Sequence, residues 1–200
     1  PLGASDFSSF MLQAQASKAQ ILGLANAGGD TINSIKAANE FGVTNTMKMA
    51  GLLVFINDIH SLGLEATKGM YLTDGWYWNQ SDASRAWAQR FEDKIKRKPS
   101  MLQAADYSAV SFYLKGVKET CTDDGDAIMK WMKGNKINDF FTQGGYIRDD
   151  GRMVYNMYLM QVKTPAESKG PWDYYNVIAT LPGEEIYTKP SESTCKLIKK

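Results

Sequence analysis

Over its first 73 residues the chain alternates short apolar runs with amphipathic stretches that carry their own helix-start signals, and this alternation leaves few folds open. Ile21-Leu22-Gly23-Leu24-Ala25, the run from Met49 to Ile56, and Met70 to Thr73 each have the length of a buried strand. A helix is expected over 7–16 behind an Asp6 cap, with Phe7, Phe10, Met11 and Ala14 on one face. A second is expected behind Asp30, with Ile32, Ile35, Ala38 and Phe41 in one stripe and Gly42 in the C-cap position. A third is expected near 57–68, capped by Asn57 or Asp58. Strands separated by helices of this length pair in parallel, and a parallel sheet must be covered on both faces. The expected fold class is therefore α/β.

The pattern changes after Trp76-Tyr77-Trp78-Asn79. Helices are expected over 81–97 and 100–118, parted by Pro99 with Ser100 as N-cap, and over 124–134. The rest reads as β-structure: Tyr146 to Arg148, Met153 to Val162, and Tyr174 to Leu181, with Thr164 to Asp173 an exposed hairpin connection. Such a chain leaves one lobe, visits another and returns.

Composition excludes more than it selects. The 23 basic and 22 acidic residues leave a net charge of +1, without the basic stripe of a nucleic-acid binder. The densest basic run, Lys94-Ile95-Lys96-Arg97-Lys98, falls at the end of an expected helix, where the dipole favours cations. No apolar run approaches the ~20 residues needed to span a bilayer. Pro1-Leu2-Gly3-Ala4-Ser5-Asp6 reads as a loop entering a helix, so the lack of a visible signal peptide says nothing about compartment. Cys121 and Cys195 allow one disulfide or none.

The chemistry of catalysis is sparse. A lone histidine, His60, rules out a two-histidine metal site and is expected in a surface or cap role. No nucleophile-elbow, P-loop or zinc-helix motif occurs. Cys121 has no histidine near it in sequence. Asp123-Asp124-Gly125-Asp126 lacks calcium-loop spacing and reads as an N-cap cluster opening a helix at 126, and Asp149-Asp150-Gly151 as a tight turn with Gly151 at positive φ. Neither an enzyme nor a bound cofactor or metal is expected.

Three groups are candidates for binding. Gly23-Leu24-Ala25-Asn26 runs from a strand end into Ala27-Gly28-Gly29-Asp30-Thr31. In open parallel sheets, ligands sit beyond the carboxyl ends of strands, where glycines admit them and helix N-termini receive anions or carbonyl oxygens. A glycine turn with an aspartate cap accounts for the same residues, and both readings stand. Asp74-Gly75-Trp76-Tyr77-Trp78-Asn79 packs aromatics too closely for all to face one core, so they line a groove or pack at a lobe junction. Gln103, Asp106 and Tyr107 are polar groups at the start of an otherwise apolar helix.

Taken in order, these segments resemble the type I periplasmic solute-binding proteins of ABC transporters, the family of the leucine/isoleucine/valine-binding protein. The stretches that carry the resemblance begin with Ser5-Asp6-Phe7-Ser8-Ser9, Leu22 to Gly42, and Phe91-Glu92 through Lys98-Pro99-Ser100. They continue with Ala104-Ala105-Asp106-Tyr107-Ser108-Ala109-Val110, and with Gly145-Tyr146-Ile147-Arg148-Asp149-Asp150-Gly151 and the strand after it. The ordered set covers essentially all 200 residues, and in detail it is similar to members serving uptake of aromatic acids. The resemblance implies two doubly wound α/β lobes joined by three hinge crossovers, of which this chain holds the C-terminal part. On that plan residues 1–73 are the later part of the C-terminal lobe, 74–79 a hinge crossing, and 80–143 the returning segment of the N-terminal lobe. Residues 144–148 are a further crossing, and 149–200 the final strands and tail of the C-terminal lobe. The N-terminal half of the same protein is then missing, and a remnant of proteolysis, or a fragment that associates with other chains, is expected.

The resemblance further implies a non-enzymatic, extracytoplasmic solute-binding component that closes by hinge motion. It makes Asn26, Ala27, Gly28, Gly29 and Asp30 a ligand-facing loop. It also places Gly51, Leu52 and Leu53 where amino-acid-binding members carry an acid for the ligand's ammonium. No acid stands there, and a buried ammonium without a counter-charge is costly. A small organic acid with an aromatic body is expected, met by Leu52, Phe55, Trp76, Tyr77, Trp78, Gln103 and Tyr107. The alternatives are a branched-chain amino acid or amide, and a two-lobe sensor or regulator. The implied partners are the small-molecule ligand and a membrane permease, with no nucleic acid. The implied location is the periplasm, or the outside of a Gram-positive cell on a lipid anchor.

Overall fold

The computed structural model describes residues 3–194. In chain order the helices and strands are α1 (Ser8–Ala16), β1 (Ile21–Leu24), α2 (Gly28–Glu40), β2 (Lys48–Gly51), α3 (Ile56–Leu62), α4 (Leu64–Thr67) and β3 (Tyr71–Asp74). There follow α5 (Asp82–Ile95), α6 (Met101–Thr120), α7 (Gly125–Gly134), β4 (Ile137–Asn138), β5 (Gln143–Ile147) and β6 (Met153–Val154). The last are β7 (Met157–Val162), β8 (Tyr175–Leu181) and α8 (Gly183–Ile186). The chain forms two compact units: one runs to Asp74 and takes up Tyr158–Ala179, the other is Gly75–Met157 with the chain from Thr180 on.

The first unit is built on a five-stranded sheet of order β1-β2-β3-β7-β8. β1, β2 and β3 run parallel, with Leu24 opposite Gly51 and Gly51 opposite Leu72. β7 joins antiparallel, with Leu72 opposite Met160 and Asp74 opposite Tyr158. The parallel strands are joined through α2 and α3, which bury Ile35, Ala38 and Ile59 completely; Val43 and Met160 are equally enclosed. Gly42, at φ 65, lets α2 stop and turn into a short 3-10 helix over Val43–Asn45. The expected strand from Met49 to Ile56 ends at Gly51. A Cβ on Gly51 would lie 2.4 Å from Cγ2 of Val54, so the chain turns there and inserts Val54, 2% exposed, into the core. The helix expected over 57–68 is broken in two by Gly63 at φ 80. Its N-cap is Phe55, and Asp58 sits in the first turn, accepting the Phe55 backbone N–H at 2.9 Å. In the same way Phe7, not Asp6, caps α1, and Asp6 accepts the Ser8 backbone N–H at 2.8 Å. Of the expected apolar face of α1 only Met11 is buried, while Phe10 is 52% exposed.

The connection between β7 and β8 is pinned rather than loose. Asp173, 7% exposed, accepts Lys163 Nζ at 2.6 Å and the Lys169 backbone N–H at 2.9 Å. Trp172 stacks on His60 with centroids 3.9 Å apart, and His60 Nδ1 lies 2.8 Å from the Tyr174 hydroxyl. His60 is thus an exposed helix residue that holds this connection to α3.

In the second unit, α5 starts behind Ser81, whose hydroxyl accepts the Ser84 N–H, and α6 behind Ser100 in a capping box with Gln103. α5 stops two residues short of the expected 97, where Lys96 turns left-handed at φ 62. Asp124 caps α7, which opens at Gly125 rather than 126. The core gathers Trp76, Trp87, Ala88, Ala104 and Phe141. Trp76, 1% exposed, donates its indole N–H to Ser84 Oγ at 3.0 Å and to the Phe140 carbonyl at 3.1 Å, while Trp87 stacks on Phe140 at 4.3 Å. A small sheet of β4, β5 and β6 completes this unit. The single strand expected from Met153 to Val162 is interrupted after Val154. The Tyr155 ring packs on Phe141 at 5.3 Å, and Asn156 Oδ1 accepts the Gly183 backbone N–H at 3.3 Å. Gly151 does take positive φ, at 82°, and its N–H closes the turn on the Arg148 carbonyl at 2.9 Å. Cys121 is exposed at the end of α6, and Cys195, its possible disulfide partner, lies outside the described residues.

Two outcomes test this packing. Trp76→Ala removes a fully enclosed side chain and should cost about 3–5 kcal/mol in denaturant unfolding. Gly51→Ala should cost about 1–3 kcal/mol by the same measurement, because its methyl has no room against Val54.

Candidate functional site

In the first unit, two neighbouring parallel strands end side by side. Leu24 and Gly51 are register partners, and the Leu52 N–H donates to the Leu24 carbonyl at 3.1 Å, extending the ladder by one bond. From this edge one segment leads through Ala25–Ala27 into α2, and the other through Leu52–Phe55 into α3. Ala27 is extended and offers no side-chain cap to α2. Gly28 has φ 57, a conformation that favours glycine. A Cβ at Gly28 or Gly29 would meet no atom within 4 Å, so the mouth of the helix is open. Ala25, Ala27, Gly28 and Gly29 are all exposed.

Asn26 turns inward. Its Nδ2 donates to Ser34 Oγ at 2.8 Å and its Oδ1 accepts Thr31 Oγ1 at 3.0 Å, both partners being buried on α2. Asn26 therefore fixes the loop onto the helix it precedes. Asp30, expected as the cap, lies in the first turn of α2 and makes no capping bond; its carboxylate accepts the Gly3 backbone N–H at 3.2 Å. The physical reason is that the helix begins at Gly28, which places Asp30 inside it. Leu52 and Leu53 stand out at 63% and 50% exposure, and Phe55 is half-buried behind them. The Asp58 carboxyl nearby is held above the usual carboxylate range, mainly by burial, with the Phe55 N–H opposing that shift. Asp74, 1% exposed, closes β3.

In the second unit the remaining sequence candidates are engaged in packing and capping. Trp76, expected at a groove or junction, is enclosed in the core. Tyr77 is 4% exposed and packs edge-on against Trp78 at 5.8 Å, and Lys98 Nζ lies 4.5 Å over the Trp78 ring. Gln103 Oε1 accepts the Ser100 N–H at 2.8 Å and its hydroxyl at 2.5 Å, so this amide serves the start of α6. Tyr107 is 45% exposed, lies edge-on to Trp87 at 5.4 Å, and accepts a long bond from Arg90 at 3.3 Å. The structure thus brings Asn26, Ala27, Gly28, Gly29, Asp30, Leu52 and Phe55 to one sheet edge. It places Trp76, Tyr77, Gln103 and Tyr107 within the other unit.

Thr31, named from sequence only as the end of the loop segment, and Ser34, which reasoning from sequence passed over, orient Asn26. Their signal was available: both are polar positions on the inner side of α2, beside the apolar stripe of Ile35 and Ala38. Among the described residues no cluster of three or more His, Cys, Asp or Glu side chains has the arrangement to hold a metal ion. The edge offers backbone donors, small residues and apolar side chains, which suits noncovalent capture.

The family model for periplasmic binding protein matches residues 1–171. A periplasmic binding protein from Burkholderia mallei is 63% identical with a TM-score of 0.93, over 100% of this chain and 53% of its own. A branched-chain amino acid ABC transporter periplasmic ligand-binding protein from Burkholderia xenovorans LB400 is 39% identical with a TM-score of 0.90, over 100% of this chain and 54% of its own. A solute-binding protein of an ABC transporter from Rhodopseudomonas palustris BisB5, in complex with 3,4-dihydroxybenzoic acid, shares the fold at 20% identity and a TM-score of 0.73, over 89% of this chain and 49% of its own. No curated protein matches. The chain spans about half the length of these solved relatives. With the family model covering most of its residues and a relative 63% identical along all of it, the chain belongs to the type I periplasmic binding proteins.

Proposed function

We propose that this chain is part of the solute-binding component of an ABC uptake transporter, acting outside the cytoplasmic membrane without catalysis and delivering its ligand to a membrane permease. On this reading the stretch up to residue 73 belongs to the C-terminal lobe of the binding protein. Residues 80–143 belong to its N-terminal lobe, and the ligand is enclosed by hinge closure.

The ligand we propose is a small organic acid with an aromatic body. One observation carries this: the edge formed by β1 and β2 pairs an open helix mouth at Gly28 and Gly29 with exposed Leu52 and Leu53, and no acid stands at positions 51–53. The mouth of α2 favours a carboxylate through its backbone donors and dipole. The leucines favour a flat apolar ring. An ammonium here would compete for acids already engaged, since Asp30 accepts from the Gly3 backbone and Asp58 from the Phe55 backbone. The dihydroxybenzoic acid held by the Rhodopseudomonas protein belongs to the proposed ligand class. The name of the Burkholderia xenovorans relative favours a second reading, a branched-chain amino acid, for which Asp74 is the acid that closes the neighbouring strand.

A thermal-shift panel of hydroxybenzoates against leucine, isoleucine and valine, run on the complete protein, separates these readings. A true ligand at 100 times its Kd adds about 2.7 kcal/mol of stability. The expected outcome is a raised melting temperature with hydroxybenzoates. Leu52→Asp, a change at an exposed position, should weaken that binding at least about tenfold, or ~1.4 kcal/mol. A shift with the amino acids alone would replace the proposed ligand by the second reading. A shift with neither panel would count against both ligand classes.

A further inference from the structure

The chain passes between the two units at three places: after Asp74, after Met157 and after Ala179. In the first unit the crossing strands β3, β7 and β8 are neighbours in one sheet, with Asp74 opposite Tyr158. In the second unit the three crossing stretches converge on one residue, Tyr155. Gly75 opens the first stretch, and a Cβ there would lie 2.8 Å from Tyr155 Cε2, 3.2 Å from its hydroxyl and 3.4 Å from Met157 Sδ. Tyr155 itself lies just before the second crossing. Gly183 follows the third, and a Cβ there would lie 2.5 Å from the Tyr155 carbonyl oxygen and 2.9 Å from its carbonyl carbon and its nitrogen. The Gly183 N–H also donates to Asn156 Oδ1 at 3.3 Å. Neither glycine has positive φ, so what each supplies is the lack of a side chain where another segment comes close. The Tyr155 ring packs on the aromatic core that contains Trp76, with Phe141 at 5.3 Å and Tyr187 at 5.8 Å. All of these residues belong to the second unit.

We propose that Tyr155 is a shared pivot that couples the three crossings, so that they bend together when the protein opens and closes. The inference rests on the hinge-closure reading of the chain and adds to it the residue that makes the hinge a single joint. Each crossing residue has two soft backbone dihedrals, and three stretches free to turn separately would allow twisting and sliding as well as closure. A ring anchored in the core removes that freedom, because Gly75 and Gly183 fit against Tyr155 without clearance for a methyl group. The place of both glycines, beside crossings and not within the core helices, distinguishes a pivot from a ring that only fills space. Tyr155 is on this account a positioning residue, acting on binding through the share of molecules able to close.

The test is made on the complete protein, first without ligand. Spin labels are attached at Lys36→Cys in α2 and Lys130→Cys in α7, exposed positions in different units, with Cys121→Ser and Cys195→Ser removing the natural thiols. Pulsed electron paramagnetic resonance then reads the distribution of distances between the labels. A narrow distribution is expected with Tyr155 in place, and Tyr155→Ala should broaden it about twofold or more. Phe112→Leu, a loss of packing elsewhere in the same unit, should lower the melting temperature and leave the width unchanged. Should Tyr155→Ala fail to fold, Gly75→Ala, whose methyl displaces the ring, is expected to broaden the distribution by a smaller factor. A width indifferent to whichever of these two variants folds, or a broadening that Phe112→Leu reproduces, would overturn the proposal. Adding 3,4-dihydroxybenzoic acid or leucine afterwards keeps the readings apart. If neither moves the mean distance, solute capture loses support, while the ligand-free width still decides the pivot.

Discussion

Strands that run the same way cannot be joined by hairpins, and this constraint organises the first unit. Each return from the end of one parallel strand to the start of the next needs a crossover, and here α2 and α3 supply it. The crossovers leave the sheet from its carboxyl edge, so loops, glycines and helix mouths collect there whatever the protein does. The site candidates at Asn26–Asp30 and at Leu52–Phe55 are consequences of that connectivity. Chemistry enters only in which residues occupy those places: leucines and glycines on the open side, with Asn26, Thr31 and Ser34 turned inward to hold the loop.

Much of this was legible in sequence, for identifiable reasons. Ser81 and Ser100 announce α5 and α6 because an N-cap is a local device that needs no tertiary partner. Gly42 announces the end of α2 for the same reason. The failures came where tertiary packing decides. Nothing local says that the β2 run stops at Gly51, since the cause is the place taken by Val54. Nor does the apolar run from Met153 to Val162 show its interruption, which depends on Phe141 and Gly183, far off in sequence. Among the candidate residues, the strand-end loop could be located from periodicity alone. The enclosure of Trp76 and the capping duty of Gln103 could not, because an indole and an amide look equally suited to a ligand until their partners are known.

The second unit solves a different problem. Its three-stranded sheet is small, so burial depends on aromatic rings: Trp76 and Trp87 meet at 86°, and Trp87 lies nearly flat on Phe140. Rings bury large areas through few rotatable bonds. The Trp76 indole N–H and the Ser84 hydroxyl both point at the Phe140 carbonyl, so the polar atoms enclosed with the rings satisfy one another.

The connection between β7 and β8 stores a modest tension. Trp172 holds a left-handed backbone at φ 70, which costs a residue other than glycine roughly 1–2 kcal/mol. Stacking on His60 returns about 0.5–1.5 kcal/mol, and the Lys163–Asp173 pair adds its own restraint. The restraints go further, since Asp173 also accepts the Lys169 backbone N–H and His60 meets the Tyr174 hydroxyl, so the left-handed turn is held against its cost. Opening of this connection therefore requires the His60 stack, the Tyr174 contact and the Asp173 bonds to break together, a cooperative local step rather than the free motion of a loop.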